Sequence, residues 1–107
     1  MLQNKTQTGI SFQYILDTLQ FGLIAVNREG EFLFSNREAQ KLLGYPGEDL
    51  HSRSFAAINP IAWKEIQEIF TSGDTQYGKR KQYRHKVFFV HRWPLWQDDE
   101  IVAVVSV

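Results

Sequence analysis

The sequence predicts a single α+β domain: a five-stranded antiparallel sheet with short helices packed on one face and an amphipathic helix at its amino-terminal end. Three observations support this fold class. A chain of 107 residues is long enough for one hydrophobic core and too short for two. Two strand patterns near the start and three at the end enclose a stretch of helical periodicity. Polar turn residues separate neighbouring strand patterns, which is typical of strands that are joined by hairpins and therefore pair antiparallel.

The composition is that of an ordinary globular chain, with 43% hydrophobic and 22% charged residues. Twelve basic residues balance twelve acidic ones, which excludes an overall attraction to nucleic acid or to an anionic membrane. The absence of cysteine excludes disulfides, thiol chemistry and cysteine-ligated metals. The start of the chain lacks the apolar segment of a signal peptide, and no apolar run approaches the roughly 18 residues of a membrane span. We therefore expect a cytoplasmic domain with no membrane contact.

The first helix is predicted to begin at Ser11, after a polar lead over residues 1–10. Its apolar residues recur at the spacing of one helix face, namely Phe12, Ile15, Leu16 and Leu19. Gly22 ends this segment, and the domain proper is predicted over residues 11–107.

A β-hairpin follows the first helix. Its strands are predicted over residues 23–26 and 31–34. Asn27 suits the first position of a type I turn and Gly30 the last, where a left-handed residue allows the second strand to fold back. Phe32 and Phe34 are two residues apart, so we expect them on one face of the second strand.

Two helices in the middle of the chain have clear start and stop signals. Asn36 is a suitable cap for a short helix, which Gly44 ends in a left-handed conformation. Asn59 followed by Pro60 begins a longer helix, which Gly73 ends. These helices are the predicted cover of one face of the sheet.

Three strands close the chain. They are predicted over residues 75–83, 86–95 and 101–107. Polar residues 97–100 form the turn before the last strand. Arg84 and His85 lie between the first two strands, and neither adopts positive φ as readily as glycine, so we expect this turn to be longer or strained.

An apolar strand, a turn ending in glycine, a second strand, a capped short helix and the run Leu-Leu-Gly-Tyr thus follow one another, and this order resembles the first half of a PAS domain. The matching residues are Gly30, Asn36, Leu43, Gly44 and Tyr45, whereas Asn27 stands where the family usually has aspartate. Residues 71–107 resemble more specifically the sensory PAS domains of bacterial transcription activators of the AAA+ enhancer-binding class. Those domains commonly have Asn-Gly where this chain has Arg84 and His85.

The last two strands are apolar on both sides, because alternate residues of a strand face opposite sides of a sheet. Val87, Phe89, Trp93 and Leu95 face one way, and Phe88, Val90 and Trp96 face the other. Two apolar faces require two covers. The middle helices cover one face, and we expect the first helix and a second copy of the domain to cover the other; the alternative is that the first helix suffices alone. The predicted homodimer interface consists of Phe12, Ile15, Leu16, Leu19, Phe88, Val90, Val102 and Val104.

The resemblance also implies a position for a ligand pocket, between the hairpin, the long helix and the long strand. The predicted lining is Phe34, Trp63, Ile66, Phe70, Phe89, His91 and Trp93. This set is compatible with a small organic ligand, and the alternative is that the large rings fill the space themselves. His91 either presents a polar group to the pocket or is a structural, hydrogen-bonded residue.

No metal site, cofactor or active site is predicted. His51, His85 and His91 lack the spacing of metal ligands. Haem PAS domains generally take their axial ligand from the long helix, which has no histidine here, and cysteinyl-flavin photochemistry requires a cysteine, so we expect neither group. No serine follows the pattern of a strained nucleophile turn and no catalytic carboxylate pair is apparent, so we do not expect an enzyme.

A local basic patch coincides with the hairpin over residues 79–92. It contains Lys79, Arg80, Lys81, Arg84, Lys86 and Arg92. Lysines on an edge strand discourage pairing with other sheets, which is the simplest explanation of the patch. The alternative is a nucleic-acid-binding module that uses this hairpin with the interleaved Tyr83 and Phe88. We do not expect nucleic acid to bind this domain itself.

The sequence as a whole therefore predicts a cytoplasmic PAS sensory and dimerisation module of a bacterial signal-transduction or transcription-regulatory protein. Such a module relays a change of ligand or packing to a covalently linked output domain. The first expectation for the parent protein is a transcription activator, and the alternative is a histidine kinase or a cyclic-dinucleotide enzyme.

Overall fold

The computed structural model describes residues 12–107. The polar lead over residues 1–10 and the cap at Ser11 lie outside the described residues. Five strands form one antiparallel sheet in the order β2-β1-β5-β4-β3, which confirms the predicted fold class. The elements are α1 Phe12–Leu16, β1 Ile24–Val26, β2 Phe32–Ser35, α2 Arg37–Leu43, α3 Phe55–Ile58, α4 Pro60–Ser72, β3 Gln76–Tyr83, β4 Lys86–Gln97 and β5 Glu100–Ser106, with a 3₁₀ turn at Leu50–Ser52.

The local signals for turns and helix ends are confirmed. The Asn27 side-chain oxygen accepts hydrogen bonds from the backbone N–H of Glu29 (3.1 Å) and Glu31 (2.9 Å), and Gly30 has the positive φ (82°) that the turn requires. Asn59 caps α4 by accepting from the Ala62 N–H at 3.1 Å. The first hairpin and the long helix are therefore fixed by short-range interactions.

Asn36 does more than cap α2. Its side-chain oxygen accepts from the N–H of both Ala39 and Leu23, each at 2.9 Å. Its amide nitrogen donates to the carbonyls of Leu16 (3.2 Å) and Phe21 (2.9 Å). The side chain is fully buried, so one amide group joins the end of α1, the segment before β1 and the start of α2.

Two bulges decide which strand residues reach the core. Phe32 pairs with Val26 and Phe34 with Ala25, so the chain has one extra residue between them at Leu33. Phe32 is buried in the core, whereas Phe34 is half-buried beside Ala25, and the prediction that both rings share one face is wrong. In β5 an extra residue at Val102 places both Ile101 and Val104 in the core.

The core lies between one face of the sheet and the helices that follow the first hairpin. Phe32, Leu50, Ile66, Ile69, Val26 and Val104 are its largest apolar side chains with almost no solvent exposure. Phe55 packs edge-on against both Phe32 and Trp63. The opposite face of the sheet carries none of these core residues, and it is called the outer face below.

The two long hairpins close with tight turns of non-glycine residues. Arg84 and His85 have φ values of 52° and 67°, and Asp98 and Asp99 have values of 51° and 65°. These are two-residue turns in which both central residues are left-handed, a geometry that favours Asn-Gly. The turn at Arg84 and His85 is thus as short as a hairpin allows, and it is strained as expected.

Candidate functional site

The outer face of the sheet carries an apolar surface that crosses four strands. Cross-strand pairing places Phe34, Ala25, Val105 and Trp93 in one row across four strands. The exposed apolar residues of β4 on this face are Val87, Phe89, Trp93 and Leu95, with Phe89 at 68% and Trp93 at 37% exposure. Within residues 12–107 no helix buries this row of β4, and α1 itself leaves Phe12 and Ile15 exposed.

The alternation predicted for β4 is correct, but the two faces are exchanged relative to the predicted sites. Phe89, His91 and Trp93 were assigned to an interior pocket, and they lie on the outer face. Phe88 and Val90 were assigned to the dimer interface, and they are half-buried on the helix side with Arg92. Alternation separates two sets of residues without indicating which set meets the helices.

The remaining predicted residues are also distributed over several places. Ile66 and Phe70 are buried in the core and Trp63 packs against it. Val104 is fully buried in the core, which contradicts its assignment to the interface, and Val102 is half-buried at the bulge. Of the other predicted residues, Phe12, Ile15 and Leu16 lie on α1, Leu19 follows it, and Phe34 is half-buried at the β2 edge. The predicted pocket residues therefore do not surround one common cavity.

A buried ion cluster that the sequence analysis missed ties the sheet to α4. Arg92 is only 4% exposed, and its Nη1 donates to Glu65 Oε1 at 2.9 Å and to Gln76 Oε1 at 3.1 Å. Lys81 forms a second ion pair with Glu65. Glu65 directly precedes the core residue Ile66 on α4, and a carboxylate so close to the buried stripe signals an ionic partner in the sheet.

The pKa of Glu65 reflects two opposing effects. Partial burial raises the pKa of this carboxyl, but the hydrogen bonds and charges of Lys81 and Arg92 outweigh burial and hold it below its usual value. The carboxylate is therefore charged at neutral pH and balances the buried guanidinium. The Nε atom of Arg92 is also buried and has no hydrogen-bond partner within the described part of the chain.

A groove of about 440 Å³ lies along the free edge of β2. The side chains of Gln13 and Gln40 both donate to the Ser35 carbonyl at 3.3 Å, and His51 Nδ1 lies 3.3 Å from the Phe32 carbonyl. These contacts occupy the backbone groups to which an added strand would bind. Phe34 is the one predicted pocket residue that lines this groove.

The three histidines lie far apart in the fold. His91 Nδ1 accepts a hydrogen bond from the Gly78 N–H at 3.1 Å, His51 lies at the β2 edge, and His85 is in the β3–β4 turn. Among residues 12–107, no cluster of three or more potential metal ligands occurs. No helix in this range is long and apolar enough to cross a membrane.

The two ends of β4 carry opposite charge. Arg80, Arg84 and Lys86 surround the β3–β4 turn, and Asp98, Asp99 and Glu100 form the β4–β5 turn. All six side chains are exposed, and none of them takes part in an ion pair with another described residue. The basic patch of the sequence is thus divided: Lys81 and Arg92 pair with Glu65 on the helix side, and other basic residues are exposed towards the β3–β4 turn.

Comparison with known proteins identifies the fold. Residues 11–99 match the family model of the PAS fold, so the chain belongs to the PAS family. It is 30% identical over 105 residues to the sensor protein CitS of Halalkalibacterium halodurans. That match covers 94% of this chain and 19% of the relative, so the chain spans only a small part of that protein.

Solved structures agree on the fold. A sensory box sensor histidine kinase from Vibrio cholerae superimposes with a TM-score of 0.63 at 16% identity, covering 86% of this chain and 81% of that chain. The VqmA dimer of Vibrio cholerae, a LuxR-type receptor, has a TM-score of 0.68 at 12% identity, covering 86% of this chain and 48% of that chain. At these identities the likeness concerns the fold alone.

Proposed function

We propose that this chain is the sensory PAS module of a larger sensor protein of the histidine-kinase class. The similarity to CitS supports this class, and the likeness to the Vibrio cholerae kinase is consistent with it. A histidine kinase, which the sequence offered as an alternative parent, is therefore better supported than an AAA+ transcription activator. The module has no catalytic role of its own; it relays a change of packing to the rest of the protein.

The observation that carries the proposal is the uncovered apolar outer face. An exposed apolar surface of this extent marks an interaction site in a soluble domain. Phe89, Trp93 and Leu95 lie on β4, and β4 is tied to α4 through Arg92 and Glu65. A rearrangement in the helical layer therefore reaches the strand that carries the outer face. We assign this face to a homodimer contact, in place of the residues predicted from the sequence.

The dimer is tested by native mass spectrometry and sedimentation of the chain and of the variant Phe89→Ser. Ile61→Ser is the matched control, because Ile61 is 77% exposed on α4, away from the sheet. We expect a dimer that Phe89→Ser weakens and Ile61→Ser does not. The same spectrum reports any retained small molecule. A monomer at all concentrations would refute the assignment.

The relay is tested by placing the chain in a sensor histidine kinase in exchange for its own PAS domain and measuring autophosphorylation. We expect Phe89→Ser to change the phosphorylation rate and Ile61→Ser to leave it unchanged. A dimer lost without any effect on phosphorylation would contradict the relay while leaving the dimer contact intact.

A transcription regulator is the second candidate. The likeness to VqmA, described with the DNA-binding mechanisms of LuxR-type receptors, favours it as the parent class. A nucleic-acid contact through the basic hairpin itself would show binding that falls steeply with salt.

A further inference from the structure

The two edge strands of the sheet differ in length and in what contacts them. β2 is four residues long, and the side chains of Gln13, Gln40 and His51 contact its backbone carbonyls. β3 is eight residues long and forms the opposite edge. An edge strand presents a row of backbone groups that another strand can pair with unless something covers them.

The register identifies these backbone groups in β3. The β3–β4 turn has two central residues, so Tyr83 and Lys86 form the hydrogen-bonded pair that closes it. Hydrogen-bonded and non-hydrogen-bonded pairs alternate along an antiparallel ladder, so the backbone N–H and C=O groups of Gln82 and Arg80 point away from β4. In the portion of the chain that the structure describes, no side chain forms a hydrogen bond with these groups. The free edge of β3 is therefore open to an added strand.

A groove of about 620 Å³ lies between β3 and the exposed side of α4. Lys79 lines it from the strand, and Lys64, Gln67 and Glu68 line it from the helix. Alternate side chains of an added strand would point to this side of the sheet and enter the groove. The edge therefore offers backbone pairing together with a cleft for side chains, which are the two components of recognition by strand addition.

The unpaired charges beside the middle of β3 are basic. Lys79 lies on the helix side, where Lys64 also lines the groove, and Arg80 lies on the outer side, because it pairs with Phe89. These three cationic side chains are exposed, and none of them forms an ion pair within residues 12–107. Both sides of the edge thus carry free positive charge.

The acidic residues nearby do not cancel this charge. Glu65 is already paired in the buried ion cluster. Glu68 lies one turn beyond Lys64 on α4 and Asp74 directly precedes the β3 segment, so both are nearer the start of the strand. A strand with acidic residues opposite positions 79–82 is therefore attracted, whereas β3 of a second copy, with the same basic residues, is repelled.

We propose that the free edge of β3 binds an acidic, extended segment of a partner protein as an additional strand. The backbone of that segment pairs with Arg80 and Gln82, and its acidic side chains lie beside Arg80 or beside Lys64 and Lys79 in the groove. The same basic side chains keep neutral and basic strands from pairing. This contact uses the edge of the sheet and does not depend on the proposed homodimer, which uses the outer face.

Fluorescence polarisation tests this contact with a labelled peptide of alternating valine and glutamate. Its glutamates all lie on one side of the added strand, and either side of the edge offers them a basic partner. We expect saturable binding that weakens as salt rises, and no binding of a matched peptide of alternating valine and lysine.

Three variants separate backbone pairing from charge. Gln82→Pro removes an outward N–H without removing a hydrogen bond to β4, and Arg80→Glu reverses a charge at the edge. Arg37→Glu is the matched control, because Arg37 is exposed beside the opposite edge. We expect the first two variants each to weaken binding of the glutamate peptide about tenfold and the control to leave it unchanged.

Amide hydrogen exchange of the unmodified chain provides a test that does not depend on whether Gln82→Pro folds. The glutamate peptide should slow exchange at the Arg80 and Gln82 amides and leave the Lys81 amide, which already pairs with β4, unchanged. Peptide binding without this protection would show an electrostatic contact only and overturn the inference. Absence of binding at low salt, or equal binding of a single-stranded oligonucleotide, would also overturn it.

Discussion

The two faces of the sheet differ in what covers them, although the strands supply apolar side chains to both. On the helix side, Ile66 and Val104 are completely buried. On the outer face, Phe89 and Leu95 remain exposed. Full burial of such a side chain stabilises a protein by about 1.5–3 kcal/mol. One face therefore holds the fold together, and the other retains apolar surface that association can bury.

The largest expected effect comes from truncation on the helix side. Ile66→Ala removes a fully buried side chain and leaves a cavity, so we expect the free energy of unfolding to fall by about 3–4 kcal/mol. Phe89→Ala removes a larger side chain from the outer face and should change the stability of the monomer by less than about 0.5 kcal/mol. Urea unfolding at low protein concentration measures both. Equal losses would show that the outer face is buried in the monomer.

Asn36→Asp tests the buried amide that joins three segments. The substitution keeps the acceptor oxygen but replaces the donor to the Leu16 and Phe21 carbonyls by a second oxygen. We expect a loss of about 3 kcal/mol, because two carbonyls lose their partner and a charge is buried. Asn59→Asp is the control, because the Asn59 side chain accepts a hydrogen bond at the α4 cap and aspartate can accept it too. Similar thermal stabilities for the two variants would contradict the role given to Asn36.

Glu65→Gln breaks the charge balance between α4 and the sheet. We expect a loss of about 2 kcal/mol, because Arg92 stays buried without its counter-ion. The pKa of Glu65 is lower in the folded protein than in the unfolded chain, so this contribution is present above about pH 4.5 and is lost as the pH falls through the folded value.

The measurement for Glu65 is unfolding between neutral pH and pH 3. The wild-type protein should lose more stability on acidification than Glu65→Gln does. Glu68→Gln, an exposed neighbour on the same helix, should retain the wild-type pH profile. Identical profiles for all three proteins would exclude Glu65 as the titrating group.

The smallest expected effect is a gain in the stability of the monomer. Asp99 has a φ of 65°, so Asp99→Gly relieves left-handed strain in the β4–β5 turn and should stabilise the monomer by about 0.5–1 kcal/mol. A matched substitution, Asp74→Gly, lies outside the positive-φ positions and should not stabilise. Thermal unfolding measures both changes.

Local features of the fold could be predicted from the sequence because their causes are local. Asn27, Asn36 and Asn59 cap or turn the chain through contacts within four residues, and glycines 30, 44 and 73 supply positive φ where each segment ends. The order of strands follows from these signals and from hairpin connections. The PAS resemblance was therefore recognisable from the first half of the chain.

The side of the sheet to which each strand residue points could not be predicted in the same way. One extra residue at Leu33 and another at Val102 change the side to which the following residues point, and nothing in the neighbouring sequence marks either bulge. The second reason is that α4 contacts β4 through Arg92. The sequence alone predicts an exposed arginine, because its ionic partner Glu65 lies far away in the chain. The sequence therefore predicted which residues of β4 share a face, but it assigned that face to the wrong side of the sheet.

Arg92 also marks the boundary between two parts of β4 that pair with different strands. It pairs with Gln76 of β3 on one side and with Ser106 of β5 on the other, so the two hydrogen-bond ladders of the strand meet at this residue. The hairpin half, up to this point, pairs with β3, whereas the other half pairs with β5 and so belongs to the part of the sheet that also contains β1 and β2. In amide hydrogen exchange the hairpin half should open without the other half, and the boundary should fall at the residue held by Glu65.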